Sequence, residues 1–172
     1  VQDCVVIILE RERHLGLIEE VRRAGARVRL IGDGDVGSAI STAFDDTGID
    51  ICAGIGGAPE GVIAAAALKC LGGEMQARLA PEDEEDYERC LKMGITDVKR
   101  ILTMDDLVTG DDAIFSATGI TDGELLRGVR FYGGERAETH SVVMRAKTGT
   151  IRFIRAVHML TRKQYQIFTT AG

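Results

Sequence analysis

Gly54-Ile55-Gly56-Gly57-Ala58-Pro59-Glu60-Gly61-Val62 stands between an apolar strand, Ile49 to Ala53, and a long apolar helix, Val62 to Leu71. Its glycines let the backbone take positive φ and approach a ligand closely. Pro59 suits the first helical position, where its missing N–H would have no partner in any case. Glu60 then falls in the first helical turn. The free N–H groups and the dipole at a helix start favour an anion such as phosphate. A carboxylate beside that phosphate repels it unless a cation stands between them. Two readings follow: a phosphate and metal site, or a tight strand-to-helix turn in which Glu60 only complements the helix dipole.

Upstream the same pattern occurs twice. Cys4 to Leu9 is a continuous apolar run with β-branched residues, a buried strand. The charged loop Glu10-Arg11-Glu12-Arg13-His14 follows it. Leu15, Ile18 and Val21 then recur at helical spacing up to Ala24, and Gly25 ends the helix. Arg27 to Ile31 is a second strand, Gly32-Asp33-Gly34-Asp35 its exit loop, and Val36 to Phe44 a short helix. Consecutive strand–loop–helix units predict right-handed βαβ crossovers and a parallel sheet. Such a sheet gathers its exit loops on one edge, where ligands bind. These loops are also the most chemically loaded segments of this part of the chain.

Downstream, Gly72-Gly73 breaks the third helix, and Glu74 to Leu79 alternates apolar and polar residues as a half-buried strand does. Pro81 opens a helix with an acidic first turn, Glu82 to Asp86, with Lys92 and Gly94 at its end. That acidic run lacks the central glycine and ligand spacing of a calcium loop and reads as a solvated helix face. Asp112 to Ala117 is a further strand. After it, Thr121 with Glu124 three residues on forms a capping box for a short helix, a fourth strand–loop–helix turn. From Val129 the pattern turns to strands, with a turn at Gly133-Gly134. Ser141 to Ala146 and Ile151 to His158 flank Lys147-Thr148-Gly149-Thr150 as a hairpin. The expected architecture is α/β: a largely parallel sheet with flanking helices plus a C-terminal β-hairpin region. Residues 1–160 are expected to form a single α/β domain and residues 161–172 a tail.

The 172 residues suffice for one core, with 45% hydrophobic and 28% charged residues. A net charge of −6 with both signs interspersed argues against nucleic acid or an anionic membrane as partner, and leaves room for a local basic phosphate pocket. No apolar run approaches the roughly 20 residues of a membrane helix, and the start shows no signal-peptide pattern. Cys4, Cys52, Cys70 and Cys90 are widely spaced without a C-x-x-C pair. That favours reduced structural cysteines and a cytoplasmic setting over a disulfide or zinc framework.

Gly32-Asp33-Gly34-Asp35-Val36-Gly37 fits G-x-G-x-x-G, the dinucleotide fingerprint. Two carboxylates occupy the positions a pyrophosphate would approach, and no acidic residue ends the next strand to meet a ribose. Asp33 and Asp35 better suit the hydroxyls of a polyol, or a cation; an Asx-type turn capping the next helix is the purely structural alternative. Arg11 and Arg13, two apart at a strand end, match a bidentate phosphate clamp or surface pairs with Glu10 and Glu12. His14, His140 and His158 have no metal-ligand spacing, no serine lies in G-x-S-x-G, and no cysteine has a recognisable base partner. Nucleophilic catalysis is therefore unsupported, and metal-assisted chemistry on a phosphorylated, hydroxyl-rich ligand remains.

GDGDV, GIGGAPEGVIAAAALKCLGGEMQARL, MDDLVTGDD, FSATGITDGELLRGVRF and THSVVMRAKTGTIRFI together resemble the class II (GlpX-type) fructose-1,6-bisphosphatases, from about Val5 to His158. The resemblance implies a metal-dependent sugar phosphatase that removes the 1-phosphate of fructose 1,6-bisphosphate in gluconeogenesis. It implies Mn2+ or Mg2+ as the cation, and sedoheptulose 1,7-bisphosphate as a substrate of relatives. By the same resemblance Glu60 is a metal ligand with a catalytic role, and Asp33, Gly34, Asp35 and Gly57 contact the sugar. Arg11, Glu12 and Arg13 match a triplet that binds the distal 6-phosphate. Glu12 stands where the family has proline, which adds a negative charge and loosens a rigid turn.

The family's proteins are roughly twice this length, and their N-terminal half carries the remaining acidic metal ligands and a threonine beside the scissile phosphate. This chain resembles the C-terminal half of that sugar-phosphatase fold, in keeping with its start at Val1. The resemblance thus implies three further things: the N-terminal half as a partner, self-association of the complete protein, and an isolated chain without catalysis. A sugar-phosphate-binding module that never catalyses is the alternative.

Overall fold

The apolar run near the N-terminus folds as β1 (Val5–Leu9), with Val6, Ile7 and Ile8 all buried, as an unbroken hydrophobic strand requires. In the computed structural model, which describes residues 1–162, β1 lies between β2 (Arg27–Ile31) and β3 (Ile51–Cys52), both parallel to it. The register pairs Val6 with both Val28 and Ile51. Side chains alternate along a strand, so Val6 and Ile8 face one side of the sheet and Ile7 the other. On the first side they pack with Ile18 of α1 (Leu15–Arg23), supported by Leu17 and Val21 of the same helical stripe. On the second side lie α2 (Asp35–Ser41) and α3 (Ala58–Leu71), with α2 touching both β1 and β3.

α3 begins at Ala58, so Pro59 and Glu60 stand in its first turn as expected and the apolar run from Val62 continues the same helix. It ends where Gly72 takes φ +73° and the Gly73 N–H bonds Leu68 O at 2.9 Å. The acidic helix also forms, as α4 (Glu84–Lys92), with Asp83 accepting the Asp86 N–H at 2.8 Å. The predicted strand from Glu74 to Leu79 does not. There, Ala77 makes a single bridge to Leu102. Alternation without a neighbouring ladder leaves backbone groups unpaired, so it does not by itself make a strand. α5 (Met104–Leu107) follows, closed by a capping box between Thr103 and Asp106.

β4 (Ile114–Thr118), β5 (Arg130–Tyr132), β6 (Arg136–Arg145) and β7 (Thr150–Met159) form a second sheet, antiparallel throughout. The expected largely parallel sheet is corrected accordingly: among the described residues three strands are parallel and four antiparallel. β6 is the spine, with β4 and β5 along one edge and β7 along the whole of the other. The β6–β7 hairpin is the predicted one, turning at Gly149 with φ +58°.

The helix predicted after β4 is absent. A Cβ on Gly119 would lie 2.2 Å from Arg127 O, and one on Gly128 2.7 Å from Thr121 C, so two stretches of backbone touch there. Asp122, not Thr121, accepts the local N–H, from Gly128 at 2.9 Å, and Glu124 instead pairs with Arg29 at 2.7 Å. A loop closed between two glycines takes the helix's place.

Ile40 of α2 and Ala67 and Cys70 of α3 pack on Phe115, Val142 and Met144 of the antiparallel sheet. The layers therefore run α1, parallel sheet, α2 with α3, antiparallel sheet. The exit loops of β1, β2 and β3 share one edge of the parallel sheet, as parallel strands require.

Candidate active site

β1 is the middle strand, so its exit loop meets both neighbours. Arg11 turns toward the β2 loop, donating from Nη2 to Gly32 O at 2.6 Å and from Nη1 to Glu10 O at 2.8 Å. Arg13 turns toward the β3 loop, where Nε donates to Ile55 O at 2.9 Å. The two guanidinium groups thus brace different loops, and a joint clamp on one phosphate would require Arg11 to leave its carbonyls. Glu12 is exposed between them at the start of a 3-10 turn.

His14 is the residue that sequence reasoning missed. Ligand spacing does not single it out, yet the structure buries it completely. Nδ1 lies 2.8 Å from Leu9 O, and Nε2 lies 2.8 Å from the Ile55 nitrogen and 3.1 Å from Ile55 O. The only sequence signal was its place at the end of a strand-exit loop, just before an apolar helical stripe.

The β2 loop is shaped by Gly34, whose φ of +81° makes it the left-handed N-cap of α2. Asp33 is exposed, and Asp35 opens the helix with Oδ1 accepting the Val36 N–H at 2.9 Å. Its other oxygen faces the third loop: a Cβ on Gly56 would lie 3.4 Å from Asp35 Oδ2. The carboxylate is felt at the end of β3 as well. Burial first, and the Asp35 charge second, push the Cys52 thiol up to about 11. Cys52 therefore stays protonated and is no nucleophile.

The third loop delivers α3. Gly57 is its N-cap in extended conformation, with no side chain to cap the first-turn N–H groups. Those donors are left for a ligand or solvent. Glu60 curls back over them: a Cβ on Gly57 would meet Glu60 Oε2 at 2.2 Å. Glycine at position 57 is thus what lets the carboxylate lie across the helix start, where the dipole favours it.

Arg13, Asp35, Gly56, Gly57 and Glu60 are in this way brought to one place, while Asp33 and Glu12 are exposed and Arg11 braces the β2 side. The arrangement offers acceptors for hydroxyls, donors for an anion and one carboxylate at a helix start. Among the described residues no group of three His, Cys, Asp or Glu side chains is placed to hold a metal ion. A hard divalent cation takes about six oxygen ligands, so the described residues do not by themselves fit a metal centre.

Residues 1–158 match the family model of the bacterial fructose-1,6-bisphosphatase, glpX-encoded. A D-fructose 1,6-bisphosphatase class 2/sedoheptulose 1,7-bisphosphatase of Synechococcus sp. (strain JA-2-3B'a(2-13)) is 44% identical over 176 residues, covering 95% of this chain and 50% of that protein. The protein of the same name from Microcystis aeruginosa (strain NIES-843 / IAM M-2473) is 45% identical over 177 residues, covering 96% and 51%. The chain spans about half the length of these relatives. It belongs to the family of glpX-encoded bacterial fructose-1,6-bisphosphatases.

Proposed function

We propose that this chain supplies the sugar-binding and distal-phosphate-binding half of a metal-dependent sugar bisphosphatase that hydrolyses fructose 1,6-bisphosphate to fructose 6-phosphate and phosphate. The supporting observation is the convergence of two loops: Asp35 lies against Gly56, beside the uncapped start of α3. In this reading Asp33 and Asp35 accept hydrogen bonds from sugar hydroxyls, Gly34 shapes their loop, and Gly57 allows close approach. Arg13 faces the 6-phosphate, and Arg11 joins it by exchanging Glu10 O and Gly32 O for phosphate oxygens, with Glu12 between them. Glu60 contributes one carboxylate toward Mn2+ or Mg2+, whose other ligands come from outside the described residues. Gluconeogenesis in the cytoplasm is the corresponding setting. Sedoheptulose 1,7-bisphosphate, which the relatives' name includes, presents the same two chemistries, vicinal hydroxyls and a terminal phosphate.

The partner in this proposal is a polypeptide segment corresponding to the half of the relatives that this chain does not span. Two surfaces fit it. α3 is apolar around its circumference, yet Val62 and Ile63 are exposed close to the site. On β7, Phe153 stands opposite buried Val142 and so shares its face; Phe153, Val157 and Met159 are exposed along that face, Phe153 with its ring beside Phe44.

Calorimetric titration of the chain with fructose 1,6-bisphosphate tests the ligand. Binding should saturate in the wild type and weaken in Asp35→Ala by about tenfold or more, since a hydrogen bond to a charged group is worth about 1.5–3 kcal/mol. Absence of binding by the wild type rejects the proposal.

A further inference from the structure

We propose that His14 is a positioning residue: a neutral imidazole that latches the β3 exit loop to the β1 exit loop and so aims the phosphate-binding start of α3. The proposal deepens the sugar-bisphosphate reading and rests on it for the ligand. Hydrogen-bond direction assigns the tautomer. Leu9 O is a carbonyl and can only accept, so Nδ1, 2.8 Å away, carries the proton. Nε2 lies 2.8 Å from the Ile55 nitrogen and 3.1 Å from Ile55 O; the backbone N–H can only donate, and with the proton on Nδ1 the Nε2 lone pair accepts it. The Ile55 carbonyl, close to the same ring nitrogen, takes its hydrogen bond from Arg13 Nε at the shorter 2.9 Å.

Both polar groups of one loop residue are therefore held by two consecutive residues of the neighbouring loop. Gly54 completes the arrangement, since a Cβ there would lie 3.3 Å from His14 Cε1 and press on the ring. With Ile55 fixed, Gly56 is placed against Asp35, and Gly57 begins α3 two residues later. That N-cap has no side-chain hydrogen bond to hold it in place, so the direction of its free N–H groups depends on the loop before it. Rigid placement of such donors is what makes them effective toward an anion.

Burial alone would make His14 a space-filling residue, and two amide variants separate that role from the latch. In His14→Gln the carboxamide reaches the Nε2 position and its oxygen can accept the Ile55 N–H. In His14→Asn the shorter amide reaches only the Nδ1 position, keeping Leu9 O and losing Ile55. Amide hydrogen exchange at Ile55 reads the latch without any ligand. Protection should persist in the wild type and His14→Gln and fall in His14→Asn. Amide shifts of Gly56, Gly57, Glu60 and Gly61 on titration with inorganic phosphate read the consequence. Affinity should fall about tenfold in His14→Asn and much less in His14→Gln, the scale expected for one buried hydrogen bond.

Imidazole 15N spectra of the wild type, which need no variant to fold, should show a protonated Nδ1 and an unprotonated Nε2. A proton on Nε2, or equal phosphate affinity in His14→Asn and His14→Gln, overturns the latch. A wild type with Ile55 protected but no phosphate-dependent shifts leaves the latch standing and overturns the phosphate site instead.

Discussion

A Cβ added to Gly57 would meet the far end of Glu60, whereas one added to Gly128 would meet the backbone of Thr121. The first obstacle can swing aside. Gly57→Ala should therefore keep the unfolding midpoint in urea within experimental error while moving the Glu60 carboxylate off the helix start. The second obstacle yields only if the loop opens, so Gly128→Ala should destabilise by about 1–3 kcal/mol. Similar midpoints for the two variants would show that the loop between Gly119 and Gly128 is not the closed unit described. At this scale the sequence was partly transparent. Gly57 and Glu60 stood out because their motif sits between a strand and a helix. Gly128 did not, because its constraint comes from a contact with Thr121, seven residues earlier, and no local pattern carries that. His14 was hidden for a related reason: its partners are the backbone atoms of Leu9 and Ile55, and backbone has no letter in the sequence.

Among the elements, the βαβ units were legible because hydrophobic period, glycine stops and proline starts all agree there. Disagreement between local and distant signals marks the misses. Thr103 with Asp106 and Thr121 with Glu124 have the same capping spacing, yet only the first pair caps a helix. Asp106 accepts from the Thr103 N–H at 2.9 Å and also pairs with Arg100, all within a few residues. Glu124 is drawn instead to Arg29, from another sheet, and its loop is closed by glycines. Thr103→Ala should cost about 1 kcal/mol, the usual value of an N-cap, while Thr121→Ala should change stability by much less. Thermal melts of both variants check this, and comparable losses would mean that Thr121 has a role the fold does not show. The antiparallel sheet was underestimated in the same way. Its hairpin was readable, but the way β4 joins β6 pairs Ile114 with Arg145, and short-range patterns do not report pairing across that separation.

Across the whole molecule, charge and the set of carboxylates it gathers determine the testable behaviour. Glu138 is buried in the antiparallel sheet, bonded by Arg155 at 2.5 Å and by His140 at 2.9 Å, and these partners hold its carboxyl at about 2 rather than 4.5. Asp112 is held below its ordinary value by Arg145, and Asp122 by the Gly128 N–H. A carboxyl with a lowered folded-state value stabilises above its unfolded value and loses that contribution as pH falls through the folded one. The thermal midpoint should therefore drop between about pH 4.5 and pH 2. Glu138→Gln should be less stable at pH 7 and show a shallower drop across that window; an unchanged slope would remove Glu138 as a cause. Catalysis follows from what the chain can gather. The βαβ loops were legible and meet as expected, but the proposed metal ligand Glu60 has no group of acidic partners around it among the described residues. With manganese and fructose 1,6-bisphosphate, the chain alone should bind sugar phosphate and turn over far more slowly than the roughly 1 s⁻¹ of an ordinary enzyme. Adding the N-terminal half of the 44%-identical Synechococcus relative should raise phosphate release, and Glu60→Gln in that assembly should lower it by about 10², the scale for losing one preorganised electrostatic contact. Ordinary turnover by the chain alone, abolished by Glu60→Gln, would refute the half-site. It would place further metal ligands among Asp33, Asp35, Asp111 and Asp112, brought together by a rearrangement of these loops.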